Sequence, residues 1–436
     1  MKRKLVVISH DAMVYEDLEY LGKLPEFGKM LREGALVKTL RTIYPTITYP
    51  VHTTILTGTY PNRHGIINNE LTNVGELASP WHFFSEDIKV KEDLFTAAKK
   101  AGYSTASVFW PVTGNHPAVD YLINEYWTQT QEDSLEDAFR RTGSSEEVME
   151  KVVLPNLPKL VNVERQHPGC DEFIISCAVD MIRNFQPDVL LVHPAAIDGA
   201  RHQSGLFGEK VDESLANSER WTKMIVEATK EAGVFEQTDF VLMSDHGQMD
   251  IKRAINLNVL LCDHGLIETN EAGDMVDWQA YCKSAGMSSQ VYLKNPQDKA
   301  VYDKVYRLLC DLAEEGIYGF TQVFTKEEIE KKERLGGDFS FVVETDGYTT
   351  FGNNWRRPLV RAYDLSDYRF GRATHGYLPD RGPQPTFIAC GPSFEKGAVV
   401  ERRPIVDTTA TFAKVLHLDL LDLDGEPIDE ILKAEA

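Results

Sequence analysis

The chain has 436 residues, 42% hydrophobic and 26% charged, enough to bury a large core and too apolar for general disorder. Its 46 basic and 67 acidic side chains leave a formal charge of −21, which argues against a broad nucleic-acid or anionic-membrane surface. A small anionic substrate stays open, because bound divalent metals reverse the field locally.

Taken in order, the chain alternates strand and helix signals. Residues 5–9 form an apolar run too short for a signal core, and read as a buried strand with Asp11 at its carboxyl end. A helix follows from about Pro25, with Phe27, Met30 and Leu31 on one face and Gly34 as its stop. Residues 35–42 read as extended. Residues 93–101 form an amphipathic helix closed by Gly102, leading into a strand at 105–110. The helix 171–185 precedes the apolar strand 189–192, and the long amphipathic segment 209–232 precedes the strand 240–243. Near the end, 386–390 is a strand and 408–416 a helix. Short apolar strands between helices predict an α/β fold with a mostly parallel central sheet sandwiched by helices. In such sheets function gathers at the carboxyl ends of the strands.

Two regions break the rhythm. Residues 129–159 are charged and helical and read as an insertion. Between about 265 and 372 the pattern is mixed, with strands at 289–293 and 339–343 and helices at 299–315 and 326–334. This predicts a catalytic domain of residues 1–264 and 373–436 carrying a smaller inserted α+β cap, 265–372. No internal repeat and no low-complexity segment is present. No stretch is long enough to span a bilayer, and six scattered cysteines without Cys-x-x-Cys read as reduced thiols of a cytoplasmic protein.

The stretch 44–58 is a proline-punctuated turn that runs into a short helix, with Pro50 in the first turn and Gly58 at the exit. Thr48 stands at the helix N-terminus, where free N–H groups and the dipole favour an anion and where a deprotonated hydroxyl is a nucleophile. Alone, a Thr-x-Pro is more often a helix cap. Four other places carry ligand-type residues just after expected strands: Asp11, the pair Asp198 and His202, the pair Asp245 and His246, and His375. Each has a dull alternative as a cap, a surface pair or a buried histidine. Together, three Asp and three His at strand ends supply two N/O coordination sets suited to zinc or similar metals.

With these motifs in order, the chain resembles the nucleotide pyrophosphatase/phosphodiesterase branch of the alkaline phosphatase superfamily. The resemblance covers nearly the whole length and is looser in the cap and in 129–159. It implies an alkaline-phosphatase-like fold holding two divalent ions, zinc or else manganese. One ion would sit on Asp198, His202 and His375. The other would sit on Asp11, Asp245 and His246, with Thr48 bound to it as nucleophile. It further implies that Asn69 holds a phosphoryl oxygen and that Tyr49 packs on a nucleobase or other leaving group. Many family members have Asn two residues after that aromatic; here it is Val51, which weakens the case for a nucleotide.

The first expectation is therefore a two-metal phosphodiesterase acting on a small ester through a phosphothreonine intermediate. A phosphomonoesterase or phosphonoacetate-hydrolase-like enzyme on the same site is the alternative, with a phosphomutase relative behind it. A binding protein on this fold would be expected to lose ligands, and none is missing. Diester specificity goes with an aromatic wall, for which Tyr49 and Trp110 are candidates, although Tyr49 can equally be core packed against the cap. Monoester or carboxylate specificity goes with extra cations, with Arg356, Arg357 and Arg372 as sources.

Overall fold

The computed structural model describes residues 2–130 and 133–434. The apolar runs read from the sequence lie side by side as β1 (Lys4–Ser9), β2 (Ala35–Arg41), β3 (Thr105–Val108), β4 (Tyr121–Ile123), β5 (Val189–Val192) and β6 (Thr238–Met243). Two later strands, Phe387–Cys390 and Val399–Pro404, complete a sheet of eight. From one edge the order is Val399–Pro404, β2, Phe387–Cys390, β6, β1, β5, β3, β4. Every neighbouring pair is parallel except the two made by Phe387–Cys390, which runs antiparallel to β2 and β6.

Helices cover both faces, as strands apolar on both sides require. Along β1, Val6 and Ile8 join one core with Phe173, Ile174, Trp221 and Ile225, from the helices Gly169–Phe185 and Glu209–Glu231. Leu5 and Val7 join the opposite core with Val51, Ile55, Phe95 and Phe412, from Thr48–Thr57, Leu94–Lys100 and Asp407–Val415. Each such buried aliphatic side chain stabilises the fold by about 1.5–3 kcal/mol. Within the 129–159 segment, 135–141 and 146–159 are helical, with Gln131 and Glu132 outside the described residues. Phe139, Val148 and Met149 from it enter the first core, so it is a working layer of that face.

Beside the large sheet lies a smaller antiparallel one, ordered Ala280–Ser284, Ser288–Leu293, Phe341–Thr345, Phe320–Thr325. The helix Lys299–Glu315 packs on it through Val305, Leu309 and Leu312. Lys326–Glu333 is capped by Thr325 and Glu328 in a reciprocal box. The expected strand 289–293 and helices 299–315 and 326–334 are present to within a residue at each end, whereas the strands Ala280–Ser284 and Phe320–Thr325 carry no expectation from the sequence. The strand expected at 339–343 begins at Phe341.

Candidate active site

Register brings the ends of three central strands level: Ile8 lies beside Val192 and Leu242, and Ser9 beside Met243. The chain leaves β1 into Asp11, β5 into His193 and β6 into Asp245 and His246. All four are buried. The helix Ala196–Ser204 then presents Asp198 and His202 one turn apart. His375 arrives from the far end of the chain, in a stretch where Gly376 is indispensable. At Gly376, φ is 102°, and a Cβ would lie 1.8 Å from the Ala285 carbonyl oxygen of the small sheet. Its N–H donates to the Thr46 carbonyl and the Thr46 hydroxyl, each at 3.0 Å. The same segment thus fixes His375, the turn before Thr48 and the edge of the small sheet.

Two ligand trios result, Asp198 with His202 and His375, and Asp11 with Asp245 and His246. Within each trio the ligand atoms all lie within 4.8 Å of one another. Backbone carbonyls orient the imidazoles: Nδ1–H of His202 donates to Ala373 at 2.7 Å, and Nδ1–H of His375 donates to Thr46 at 3.1 Å. Each Nε2 is left for the site, as metal-binding histidines require. His202 Nε2 is 3.0 Å from Asp198 Oδ2, and His246 Nε2 is 3.2 Å from Asp245 Oδ2. The two trios adjoin, with the His246 and His375 rings stacked at 4.0 Å.

The electrostatics call for cations. Burial, reinforced by the carboxylates of Asp245 and Asp198, pushes the Asp11 carboxyl well above its ordinary pKa. Asp11 Oδ1 and Asp245 Oδ2 are buried without a hydrogen-bond partner. Burial lowers His246 to about 3, which keeps it the neutral imidazole that ligates metals. At His202 burial opposes charge, but Asp198 overrides it and raises the pKa, so the pair favours positive charge where a divalent ion fits. Both donor sets match zinc or manganese.

Thr48 opens the helix Thr48–Thr57, whose N-cap Ile47 offers no side-chain bond to the first turn. Its Oγ lies 3.3 Å from His246 Nε2. His52 Nδ1–H donates to the Thr48 carbonyl at 2.9 Å and His52 Nε2 meets the Ser9 hydroxyl, which ties the first turn to β1. Asn69 accepts the Tyr49 N–H on its Oδ1 at 2.9 Å, leaving its amide NH₂ as donor to the cavity that it lines.

That cavity, about 580 Å³, contains Thr48, Tyr49, Asn69, Asp11, Asp198, His202 and His375 in its walls. Asp245 and His246 lie just beneath it. Tyr49 is fully buried and edge-on to Trp81, ring centroids 5.1 Å apart. Trp110 is elsewhere. The strand ends at Val108, the chain turns at Phe109 (φ 57°), and Phe109 lines the cavity. Trp110 enters the core beneath His52, its ring 4.8 Å away. None of the three expected arginines reaches the cavity: Arg356 pairs with Asp274, Arg357 with Asp263, and Arg372 lies over Tyr363. The cation there is Arg165.

Other wall residues had escaped the sequence reading. Trp81, Trp127 and Tyr368 come from three separate loops; Trp81 is 5.1 Å from Trp127 and 5.9 Å from Tyr368, which stacks on His375 at 5.7 Å. A buried ion network holds two of these loops: Glu70 pairs with Lys283 at 2.6 Å and with Arg369 at 3.4 Å. Aromatics clustered in an aperiodic stretch such as 79–84 have no regular helix or strand face to fill, which is the signal that could have found them. His193 follows β5 as Asp11 follows β1, and its Nε2 meets Asp11 Oδ2 at 3.1 Å.

A family profile described as type I phosphodiesterase / nucleotide pyrophosphatase matches residues 5–378. Human ectonucleotide pyrophosphatase/phosphodiesterase family member 1 is 26% identical over 261 residues, 56% of this chain and 24% of its own length. Venom phosphodiesterase CdcPDE of Crotalus durissus collilineatus is 22% identical over 450 residues, 98% of this chain and 45% of its own. The chain thus spans less than half the length of these relatives. Murine ectonucleotide pyrophosphatase/phosphodiesterase 5, solved as an inactive form in complex with AMP, shares the fold with a TM-score of 0.69 at 17% identity. That match covers 99% of this chain and 100% of the other.

Proposed function

Since this chain belongs to the type I phosphodiesterase / nucleotide pyrophosphatase family, we propose that it is a two-metal phosphodiesterase whose nucleophile is Thr48. The observation that carries this reading is Thr48 Oγ, at a helix N-terminus, 3.3 Å from His246 of one ligand trio and lining the same cavity as Asp198, His202 and His375 of the other. When bound, divalent ions held by the trios supply Lewis-acid charge that lowers the proton affinity of the Thr48 hydroxyl and balances charge on the phosphoryl oxygens.

The chain's own residues do the rest. Thr48 gives up its proton and its Oγ bonds to phosphorus in line with the departing oxygen, which leaves with its electron pair and is protonated. Asn69 donates its amide NH₂ to a non-bridging phosphoryl oxygen as charge grows there, in the manner of an oxyanion hole. The N-terminal dipole of Thr48–Thr57 favours the same charge. Water then cleaves the phosphothreonine and releases a phosphomonoester with Thr48 restored. Tyr49 and Trp81 form the apolar side of the cavity, against which an aryl or nucleoside group packs. The AMP held by the murine neighbour supports a nucleotide-type substrate.

The test is a panel of p-nitrophenyl phosphate monoesters, diesters and phosphonates on protein supplied with zinc or manganese. Diesters should turn over fastest, metal analysis should give close to two ions per chain, and chelation should abolish the rate. Thr48→Ala should lose on the order of a thousand-fold or more in kcat, and Thr48→Ser should keep part of it. A near-wild-type Thr48→Ala would show that water attacks phosphorus directly. Faster monoester or phosphonate cleavage would move the assignment to those classes.

A further inference from the structure

The cavity contains an acid-rich wall and a single unpaired cation. Arg165 is the only Lys or Arg among the described residues that line it, beside Asp11, Glu125, Glu164 and Asp198. Its guanidinium lies over the Trp127 ring, 4.3 Å from the centroid, and 5.5 Å from that of Trp81. It forms no ion pair or hydrogen bond with any described residue, and the side chain is exposed. The neighbouring acid is turned away: Glu164 Oε2 accepts the Thr128 N–H and hydroxyl at 3.1 and 2.9 Å.

A guanidinium carried on aromatic rings keeps its in-plane N–H groups free, and these match carboxylate or phosphoryl oxygens in pairs. The Arg165 guanidinium is thus available to an anion that enters the cavity it lines. Its place relative to Thr48 sets the spacing. Tyr49 adjoins Thr48, Trp81 is 5.1 Å from Tyr49, and Arg165 is 5.5 Å from the Trp81 ring, so Trp81 links the two along one wall of the cavity. A ligand that spans both ends carries a ring- or sugar-sized group between its two anionic ends.

We propose that Arg165, held on Trp81 and Trp127, is the subsite for a second anionic group of the substrate, a carboxylate or phosphoryl group one ring- or sugar-sized spacer from the reacting phosphorus. This rests on the phosphodiesterase reading for the position of the first phosphoryl group.

Binding is measured by calorimetry on zinc-loaded Thr48→Ala protein, so that nothing is consumed. The probes are three p-nitrophenyl aryl phosphates: phenyl, 4-carboxyphenyl and 4-phosphonophenyl. The anionic pair should bind about ten- to hundred-fold tighter than the phenyl diester, the scale of a hydrogen bond between charged partners. The carboxylate and phosphonate arms decide which anion the site prefers. Adding Arg165→Gln should collapse the preference to near unity, and Arg165→Lys should keep part of it. Equal affinities for all three probes in the Thr48→Ala protein, or a preference that survives Arg165→Gln, overturns the subsite. A preference lost in Arg165→Gln, together with no hydrolysis of any diester by the unmutated protein, leaves the subsite standing and sinks the hydrolase reading.

Discussion

Asn69→Asp isolates a single hydrogen-bond donor. The Asn69 side chain is buried and its Oδ1 accepts the Tyr49 N–H at 2.9 Å. An aspartate of the same shape keeps that acceptor, so the first turn of the nucleophile helix stays anchored. What changes is the other half of the group: the NH₂ that the proposed mechanism turns toward a phosphoryl oxygen becomes a carboxylate oxygen that cannot donate. Loss of one donor to a developing oxyanion costs about 2.7–4 kcal/mol, or about 10²–10³ in kcat. Repulsion between carboxylate and phosphate adds to that. The assay is kcat and KM for bis(p-nitrophenyl) phosphate, with thermal melting and metal content measured on the same preparation. The expected result is a hundred- to thousand-fold fall in kcat with melting temperature and metal content retained. A kcat within about threefold of wild type, on the same scale, would falsify the donor role.

Two further outcomes follow from the site and its surroundings. Tyr49→Ala should lower kcat/KM for bis(p-nitrophenyl) phosphate by about ten-fold, the low end of aromatic stacking energies, while changing methyl p-nitrophenyl phosphate little; equal loss on both substrates with a lower Tm makes Tyr49 structural. Burial pushes the Glu344 carboxyl up to about 7, against the Leu378 N–H, the Tyr44 hydroxyl and Arg381, which favour its charge. Its folded pKa is thus above its unfolded one, so its stabilising contribution is complete below about pH 4.5 and is lost as pH rises through about 7. Glu344→Gln, neutral throughout, should hold its stability where wild type loses about 3 kcal/mol between about pH 5 and about pH 8. Urea denaturation at both pH values reads this, and a pH-independent gap between the two proteins contradicts it.

The apolar runs that became β1, β5 and β6 are legible because they are buried on both faces, and their neighbours Asp11 and Asp245 are polar groups with no local structural purpose. Thr48 is legible for a related reason, since Pro50 and Gly58 fix both ends of its helix. The direction of Phe387–Cys390 is not legible. It is set by a connection returning from the small sheet, and nothing in four apolar residues encodes antiparallel pairing. The exchange of Trp110 for Phe109 turns on one residue with positive φ, which a phenylalanine does not advertise. Trp81, Trp127, Tyr368 and Arg165 meet only through tertiary packing, so their common wall has no sequence period to betray it.

The glycine crossing beside His375 bears on how this site can change over generations. Gly376 passes so close to the Ala285 carbonyl, and Gly286 so close to the His375 carbonyl (a Cβ on Gly286 would lie 2.3 Å away), that neither backbone can move alone. The turn that ends one strand of the small sheet is therefore also the support behind the His375 backbone. Lineages that lengthen or reshape that turn must shift His375 in the same step. Variation in selectivity is thereby channelled away from 285–286 and toward the loops bearing Trp81, Trp127 and Arg165.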